Sequence, residues 1–399
     1  MNILIFVCLM TAVLVSCTTS DNLTKIVNPQ VKTIDAPEAG NYPVGLFKYP
    51  YRTPSKWYSR ESFLQTIEWS PRVNKTFETN TQYTAILTLE PINNKHTFRG
   101  TVIEEITGLP SDGVENISLD NDGRNLVIRI LYKKTANVNA AAKILFSDEF
   151  NGSSLDNDKW EPCPEWDRQG RSSWRDDMVS VSGGFLRLKF IHDPELGRAR
   201  AGRRPAAAGW IRAGAVRTQT KNGHAIFTNG FGYYEARIKF PVVSGTWGAF
   251  WLMSPTQWIT EYEGKDGTEI DIIESIKNHE GQYNSAIHWN GYGDKHKGVG
   301  SEIRQRDNPA PDINIYDGEF HTFALDWSPS EYIFYIDGQV FWRVDGGALF
   351  KNSGINQNPN YIKLSVESAE WAGNIPEDFK EAEMLVDYVR VYNQPRIRS

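Results

Sequence analysis

Most of this chain reads as a series of short β-strands, and that pattern limits the architectures open to it. From residue 144 to residue 394, apolar and polar side chains alternate in short runs, most clearly at 232–240, 246–253, 269–275, 321–327, 332–342 and 385–392. The pair Asp337-Gly338 lies between two such runs and is a strong β-hairpin signal. No helical period of useful length appears. The sequence therefore predicts an all-β domain, a sheet-on-sheet sandwich or jelly roll.

The bulk composition agrees with this class and excludes others. The chain has 399 residues, enough for two domains, and its aromatic content of 12% suits sheets and stacking surfaces. The formal net charge of -6 is small and spread along the chain, so no nucleic-acid partner is expected. Two of the three cysteines, Cys8 and Cys17, lie in the N-terminal apolar segment and the third is Cys163, which leaves no internal disulfide framework.

The N-terminus has the features of an export signal. Residues 3–15 are nearly all apolar, a run too short to span a bilayer but of the right length for a signal-peptide core. The run ends in Leu-Val-Ser-Cys, which resembles a bacterial lipobox, where the cysteine is lipidated and becomes the mature N-terminus. We therefore predict a lipoprotein signal peptide over 1–17 and an exported bacterial lipoprotein, held by Cys17 at the cell surface or a periplasm-facing membrane. An ordinary cleaved signal or a misassigned start is the alternative.

Two segments have the composition of linkers. Residues 18–47 are mostly polar, with scattered Pro and Gly and no sustained apolar period, which is typical of a tether. Residues 137–143 are rich in small residues and are predicted to be a second linker, after which the large domain occupies 144–394.

Between the two linkers the sequence predicts a small β-sandwich over 48–136. Alternating runs occur at 83–89 and 126–130, separated by turn-rich stretches. The order of aromatic residues from Trp69 to Phe98 resembles that of immunoglobulin-like modules on bacterial surface proteins. Such a module is either a spacer or a carbohydrate-binding face.

One predicted strand of the large domain carries three acidic residues within six positions, in the run Glu-Ile-Asp-Ile-Ile-Glu at 269–274. Carboxylates are costly to desolvate, so three of them in an apolar strand are rarely explained by a structural role. Because side chains alternate along a strand, Glu269 and Asp271 share one face, whereas Glu274 belongs on the other. One extra residue, a β-bulge, returns Glu274 to the acidic face, and bulges are enriched beside active sites.

With that bulge, Glu269 and Glu274 line one cleft with Asp271 between them. Retaining glycosidases need two carboxyl groups about 5 to 5.5 Å apart, one as nucleophile and the other as acid and then base. Crowding of three carboxyls holds a proton on at least one of them at neutral pH, as the acid role requires. The pattern predicts a retaining glycosidase.

The same run matches the bulged Glu-x-Asp-x-x-Glu signature of glycoside hydrolase family 16, the laminarinase, agarase, carrageenase and porphyranase group. Other segments resemble the family in its own order, namely 146–152 with Leu155-Asp156 and Lys159-Trp160, 232–240, 245–252 and 386–392. The resemblance implies a β-jelly roll with a concave substrate cleft and a polysaccharide substrate. It also implies Glu269 as nucleophile, Glu274 as general acid/base and Asp271 as the residue that orients the nucleophile.

Aromatic residues close to the acidic strand are candidate substrate contacts. Trp247 and Trp251 have the same parity and can both face the cleft, where pyranose rings stack on indoles; otherwise they are core tryptophans. His288 and Trp289 follow the acidic strand by a short excursion, and we expect them near the leaving-group side.

A stretch rich in arginine bears on the charge of the substrate. It contains Arg187, Arg198, Arg200, Arg203, Arg204, Arg212 and Arg217. Guanidinium groups suit sulfate or carboxylate, so Arg217 is a candidate substrate contact, and a solvated loop is the alternative.

The family resemblance also bears on metals. Glu149 and Asp387 match positions that bind a structural calcium away from the cleft in many members, so either such a site or an unoccupied one is implied. No cofactor is expected to be required, and a monomer is expected.

The sequence thus predicts an endo-hydrolase of internal β-linkages, with β-1,3- or mixed-linkage glucan as the leading substrate. Galactans of the agar, porphyran or keratan type are the alternative. A catalytically silent, surface-anchored glycan-binding protein is the alternative from another class, and the intact acidic triplet argues against it.

Overall fold

The computed structural model describes residues 23–26, 29–31, 34, 36–43, 63–91, 95–120, 123–168, 171–195, 210–260, 263–276, 283–301, 313–345 and 355–394. The predicted signal peptide with Cys17, and four of the arginines, Arg198, Arg200, Arg203 and Arg204, lie outside these ranges. In the ranges themselves, no helix has the length and apolar character needed to cross a membrane.

The described residues are almost entirely strand and loop. The strands are β1 Thr24–Lys25, β2 Phe63–Ser70, β3 Thr84–Pro91, β4 His96–Thr97, β5 Val114–Asp120, β6 Asn125–Leu131, β7 Ile144–Asp148, β8 Glu161–Pro162, β9 Asp167–Arg168, β10 Ser172–Trp174, β11 Val179–Ser182, β12 Phe185–Asp193, β13 Trp210–Ala213, β14 Ala215–Arg217, β15 Gly232–Lys239, β16 Trp247–Met253, β17 Glu269–Ser275, β18 Tyr283–Trp289, β19 Lys297–Gly300, β20 His321–Trp327, β21 Glu331–Ile336, β22 Gln339–Asp345, β23 Tyr361–Glu367 and β24 Glu381–Tyr392. Single 3-10 turns occur at Ile103–Glu105, Asp176–Met178 and Glu370–Ala372. The all-β prediction is confirmed.

Two sheets pack face to face to form the large domain. One has seven strands in the order β19-β18-β17-β16-β23-β14-β8. The other follows β22-β21-β20-β15-β24-β12-β13-β10-β9, with β11 paired to β12 and β7 paired to β24. Phe250 and Leu252 of β16, and Ile270 and Ile273 of β17, are fully buried in the core between the sheets. Alternation along each strand therefore turns the intervening side chains to the other side, which we call the outer face of the seven-stranded sheet.

The N-terminal module is built on the four-stranded sheet β2-β3-β6-β5. Its core includes Phe63 and Phe98, and it also takes Ile26, Val31 and Ile34 from the segment before the sheet. Strand β1 of that segment pairs in parallel with β4. This part of the predicted 18–47 linker is therefore built into the module, because its apolar side chains are buried there.

A second part of the same predicted linker packs against the large domain. Tyr42 is 6% exposed and belongs to the large domain's hydrophobic core. Its hydroxyl donates to the carboxylate of Asp326 on β20, and its backbone N–H donates to Asn393 O at 3.1 Å. Lys75 of the module places its ammonium 2.8 Å from the same Asp326 carboxylate. We call Tyr42, Lys75 and Asp326 the tyrosine latch; with it, the prediction of a free tether over 18–47 does not hold for the described residues.

Candidate active site

Strand β17 contains the bulge that the acidic run predicts. Its register against β16 runs Phe250 to Ile273 and then Trp251 to Asp271, so Ile272 is the extra residue. The same shift appears against β18, between Asp271 and Glu274. The bulge brings Glu274 to the outer face together with Glu269 and Asp271, as the sequence analysis expected.

Glu274 is set up to hold a proton. Its carboxyl is 7% exposed and accepts hydrogen bonds from Trp247 Nε1 at 2.9 Å and Asn284 Nδ2 at 3.1 Å. Burial, followed by the nearby charge of Glu269, raises the pKa of Glu274 to about 8, although the two hydrogen bonds act in the opposite direction. A carboxyl that is neutral at pH 7 can act as a general acid.

Glu269 and Asp271 are buried beside it, at 8% and 4% exposure. Burial is the main cause that raises the pKa of Glu269, and the hydrogen bond that Tyr292 donates to it lowers that pKa. The pKa of Asp271 is raised by burial and by the charges of both neighbouring glutamates. Three carboxyls this close cannot all be ionised at once. At least one of them therefore holds a proton while another carries the negative charge.

A pair of histidines borders Glu269 and Asp271. His288 Nε2 lies 3.6 Å from the Asp271 carboxylate, and His288 Nδ1 lies 3.1 Å from His296 Nε2. Burial, and then the neighbouring His296, lower the pKa of His288 to about 4, which keeps the ring neutral at pH 7. His288 thus lies beside Glu269 and Asp271, where a neutral ring can share a hydrogen bond without adding charge, and its expected place near the leaving-group side stays a prediction.

Exposed aromatic rings flank both glutamates. Trp247, which contacts Glu274, packs edge-on against Trp371 with ring centroids 4.5 Å apart, and Trp371 is 40% exposed. On the Glu269 side, Tyr292 packs against Trp258, which is 59% exposed. Trp371, Trp258 and Tyr292 were not among the sequence candidates.

Two of the aromatic residues predicted to contact the substrate, Trp251 and Trp289, are buried. Trp251 shares the outer face with Asp271 but is only 5% exposed, because the Lys363 ammonium lies 3.5 Å from its ring centroid. Trp289 is the neighbour of His288 on β18 and so points the other way, into the hydrophobic core. The prediction of Trp289 as a sugar contact is therefore corrected: it is a core residue.

Basic side chains lie near the outer face, and two of them, Arg168 and Lys363, were missed by the sequence analysis. Arg168 makes two contacts to the buried Glu367 carboxylate, at 2.5 and 3.3 Å, and lies over the Trp174 ring. Arg217, which was predicted, lies opposite Lys363 in the pairing of β14 with β23 and donates to Gln219 O at 3.0 Å. The cations near the carboxylates thus come from three separate strands.

The other described arginines of the Arg-rich stretch are engaged elsewhere. Arg187 pairs with Glu383 at 2.6 Å. Arg212 pairs with Asp177 at 2.5 Å and with Asp193 at 3.0 Å. Neither is on the outer face of the seven-stranded sheet, so of these residues Arg217 alone among those described contributes to the site.

The predicted calcium ligands do not form a metal site. Glu149 binds the Arg390 guanidinium through both oxygens, at 2.9 and 2.7 Å, and Asp387 pairs with Arg237 at 2.6 Å. Each carboxylate charge is already matched by its own arginine, so the pair does not fit a shared calcium ion. Within the described ranges, the one set with atoms close enough for an ion is Glu269, Asp271 and His288, and we assign these residues to catalysis.

The sequence of this chain is similar to those of several known glycoside hydrolases. The chain is 27% identical over 266 residues to a β-glucanase of Rhodothermus marinus, covering 63% of this chain and 85% of that protein. It is 29% identical over 269 residues to a keratan-sulfate endo-1,4-β-galactosidase of Sphingobacterium multivorum, covering 63% of this chain and 56% of that protein. It is 25% identical over 275 residues to β-porphyranase B of Phocaeicola plebeius, covering 62% of this chain and 82% of that protein.

A solved structure also has a fold similar to that of this chain. The X-ray structure of an endo-β-1,3-glucanase from Pyrococcus furiosus superposes with a TM-score of 0.50 at 22% identity, covering 63% of this chain and 94% of that one. Residues 143–394 match the family model described as the GH16 domain of β-porphyranases A–D. The chain therefore belongs to glycoside hydrolase family 16 and is an endo-acting glycoside hydrolase.

Proposed function

We propose that this protein cleaves internal β-linkages of a galactan of the porphyran or keratan type by a retaining, double-displacement mechanism. The observation that carries the mechanism is the bulged strand β17, which presents two buried glutamates on one face. Burial raises the pKa of Glu274 to about 8, so this carboxyl holds a proton at pH 7 as a general acid requires.

The residues take the following parts. The Glu269 carboxylate attacks the anomeric carbon while Glu274 donates its proton to the departing glycosidic oxygen, which leaves a glycosyl ester on Glu269. The Glu274 carboxylate then takes a proton from water, and that water attacks the anomeric carbon and frees Glu269. Tyr292 donates a hydrogen bond to Glu269, and Asp271 with His288 fixes the position of the nucleophile.

Two observations favour a galactan over a glucan. The family model that matches 143–394 is described by its β-porphyranases, and a keratan-sulfate endo-galactosidase is among the relatives. Arg217 lies on the outer face of the same sheet, and a guanidinium group suits an anionic sugar. This reverses the substrate order that the sequence analysis gave.

A β-1,3- or mixed-linkage glucan is the second candidate, because the chain covers 85% of a β-glucanase at 27% identity. A polysaccharide panel of porphyran, keratan sulfate, laminarin and lichenan, with detection of new reducing ends, separates the two. Product from laminarin or lichenan alone would reject the galactan assignment. Retention of every polysaccharide without product would reject catalysis.

The mechanism is tested by separating the two glutamates with an activated aryl glycoside. Glu274→Ala should be glycosylated but not turned over, because that leaving group needs no proton, and added azide should release the β-glycosyl azide. Glu269→Ala should be inactive on natural and activated substrates alike. A burst from Glu269→Ala and none from Glu274→Ala would reverse the roles, and an α-azide product would refute retention.

We also propose that the enzyme acts at a membrane surface, through a lipid on Cys17. The support is the lipobox-like ending of the N-terminal apolar run. The β2–β6 module would then lie between the anchor and the active site, as an immunoglobulin-like spacer.

A further inference from the structure

A buried lysine lies beside the catalytic carboxylates and has no role in the mechanism above. Lys363 of β23 is 6% exposed, and its ammonium is held between two indole rings, 3.5 Å from the centroid of Trp251 and 4.8 Å from that of Trp174. Burying an ammonium costs free energy unless nearby negative charge compensates it. Its retention at this position therefore calls for an electrostatic explanation.

The register of the strands places the Lys363 ammonium close to Asp271, which is a neighbour of the nucleophile Glu269. Lys363 lies opposite Trp251 on β16, and Trp251 lies opposite Asp271 on β17. Neighbouring strands are about 4.8 Å apart, so the backbones of Lys363 and Asp271 are separated by roughly 10 Å, with Trp251 between them. The lysine side chain covers Trp251 and reduces the distance from its charge to the carboxylates.

The charges around the catalytic carboxyls balance only if Lys363 is included. The titratable and charged groups that face it or the nucleophile are Cys163, Arg168, Arg217, Glu269, Asp271, Glu274, His288, Tyr292, Glu367 and Lys363, with the exposed His296 stacked on Tyr292 at the edge of the group. Cys163, His288 and Tyr292 are neutral at pH 7, because burial raises the pKa of the thiol and the phenol and lowers that of the imidazole. With the proton on Glu274, three carboxylates face three cations.

Each of the two arginines is already committed to other groups. Arg168 makes its two contacts to Glu367, and Arg217 donates to the backbone oxygens of Gln219 and Thr220. The contacts that the structure gives the Lys363 ammonium are instead the two indole faces, which do not neutralise it. No carboxylate contacts the ammonium directly, and its charge lowers the pKa of Glu269 and of Asp271 from a distance.

We propose that Lys363 is a positioning residue for the nucleophile: its buried ammonium balances the negative charge of the outer face, so that Glu269 and Asp271 are ionised together while Glu274 keeps its proton. The inference rests on the proposed roles of the two glutamates. Removing the ammonium leaves one uncompensated negative charge, which the site relieves by binding a proton on Glu269 or Asp271. Lys363 lowers the pKa of both, so the direction of the effect is fixed.

The test is the pH profile of kcat/KM for the full chain on porphyran, with laminarin in parallel. At a separation of about 10 Å and an effective dielectric constant of about 20, loss of one charge changes a pKa by roughly one unit. Lys363→Met should therefore move the acid limb up by about one pH unit, lower kcat/KM about tenfold at pH values below the wild-type acid limb, and change it little on the plateau above that limb. Lys363→Arg, which keeps the charge, should retain the wild-type acid limb.

A matched control separates charge from packing. Lys239→Met removes a lysine that lies over Phe320 on the other sheet, and should leave the profile unchanged. If Lys363→Met does not fold, Lys363→Gln, which keeps a polar end, should show the same acid-limb shift. An unmoved acid limb in an active neutral variant, or an equal loss at every pH, would overturn the inference alone. Absence of wild-type turnover on both polysaccharides would refute the proposed function and the inference with it.

Discussion

The tyrosine latch makes the N-terminal segment part of the enzyme's stability, and the variant Tyr42→Ala in the full chain tests this. Tyr42 is 6% exposed in the large domain's core, and truncating a buried aromatic side chain costs about 3–5 kcal/mol. The change also removes a hydrogen-bond donor from Asp326, which is 2% exposed, and an unsatisfied buried group costs about 1–3 kcal/mol. Lys75 remains beside Asp326 and offsets part of the cost of leaving that carboxylate unsatisfied. We expect unfolding free energy to fall by about 4 kcal/mol.

The assay is urea unfolding followed by tryptophan fluorescence, with Tyr42→Phe as an intermediate step. Tyr42→Phe keeps the ring and loses the hydroxyl, so it should cost only about 1–2 kcal/mol. The control is Lys143→Ala, which breaks an exposed ion pair with Glu38 and should cost less than about 1 kcal/mol. The catalytic glutamates are on the other sheet, so folded Tyr42→Ala should keep the wild-type kcat at 25 °C.

A loss in Tyr42→Ala no larger than that of Lys143→Ala would refute the reasoning. A protein that begins at Ala140 lacks Tyr42 and Lys75 altogether. The sequence alone predicts full activity for it, because both glutamates lie beyond that point. The structure predicts instead a folded but destabilised enzyme, because removal of Tyr42 and Lys75 leaves the buried Asp326 without either partner.

Three further predictions concern single groups. Trp247→Phe removes a hydrogen bond that lowers the pKa of Glu274, so the alkaline limb of kcat/KM, expected near pH 8, should move upward; a downward movement would contradict the acid role. Burial lowers the pKa of His321, but its hydrogen bonds to Asp337 and Asp317 outweigh this and raise it, so its contribution to stability is complete below about pH 6.5 and is lost as pH rises through the folded pKa. In Asp337→Asn, thermal melts should show a weaker loss over that range, and an unchanged pH dependence would count against it. Cys17→Ala should abolish lipidation, seen as transfer from the detergent to the aqueous phase, and unchanged partitioning would exclude the lipobox.

The sequence by itself determined the class of fold and the catalytic strand. Alternation along short runs specifies sheets, because successive side chains of a strand point to opposite faces and only one of those faces packs on the core here. The parity of Glu269, Asp271 and Glu274 requires a bulge if the three carboxyls are to share a face, and the register of β17 contains it. This inference was local, since it needed only the spacing of side chains along one strand.

The tertiary structure alone decided which distant residues complete the site. Lys363, Trp371 and Arg168 come from strands and turns far apart in sequence, and no local period marks them as neighbours of Glu269. Trp289 illustrates the converse, because its closeness in sequence to His288 suggested a shared role, while strand alternation puts it on the opposite face in the core. The latch is the same kind of result: Tyr42 lies in a polar stretch that resembles a tether, and only packing against Asp326, 284 positions away, makes it structural. Contacts between strands depend on sheet order and register, which are set by the free energy of the whole core and leave no trace in the local pattern.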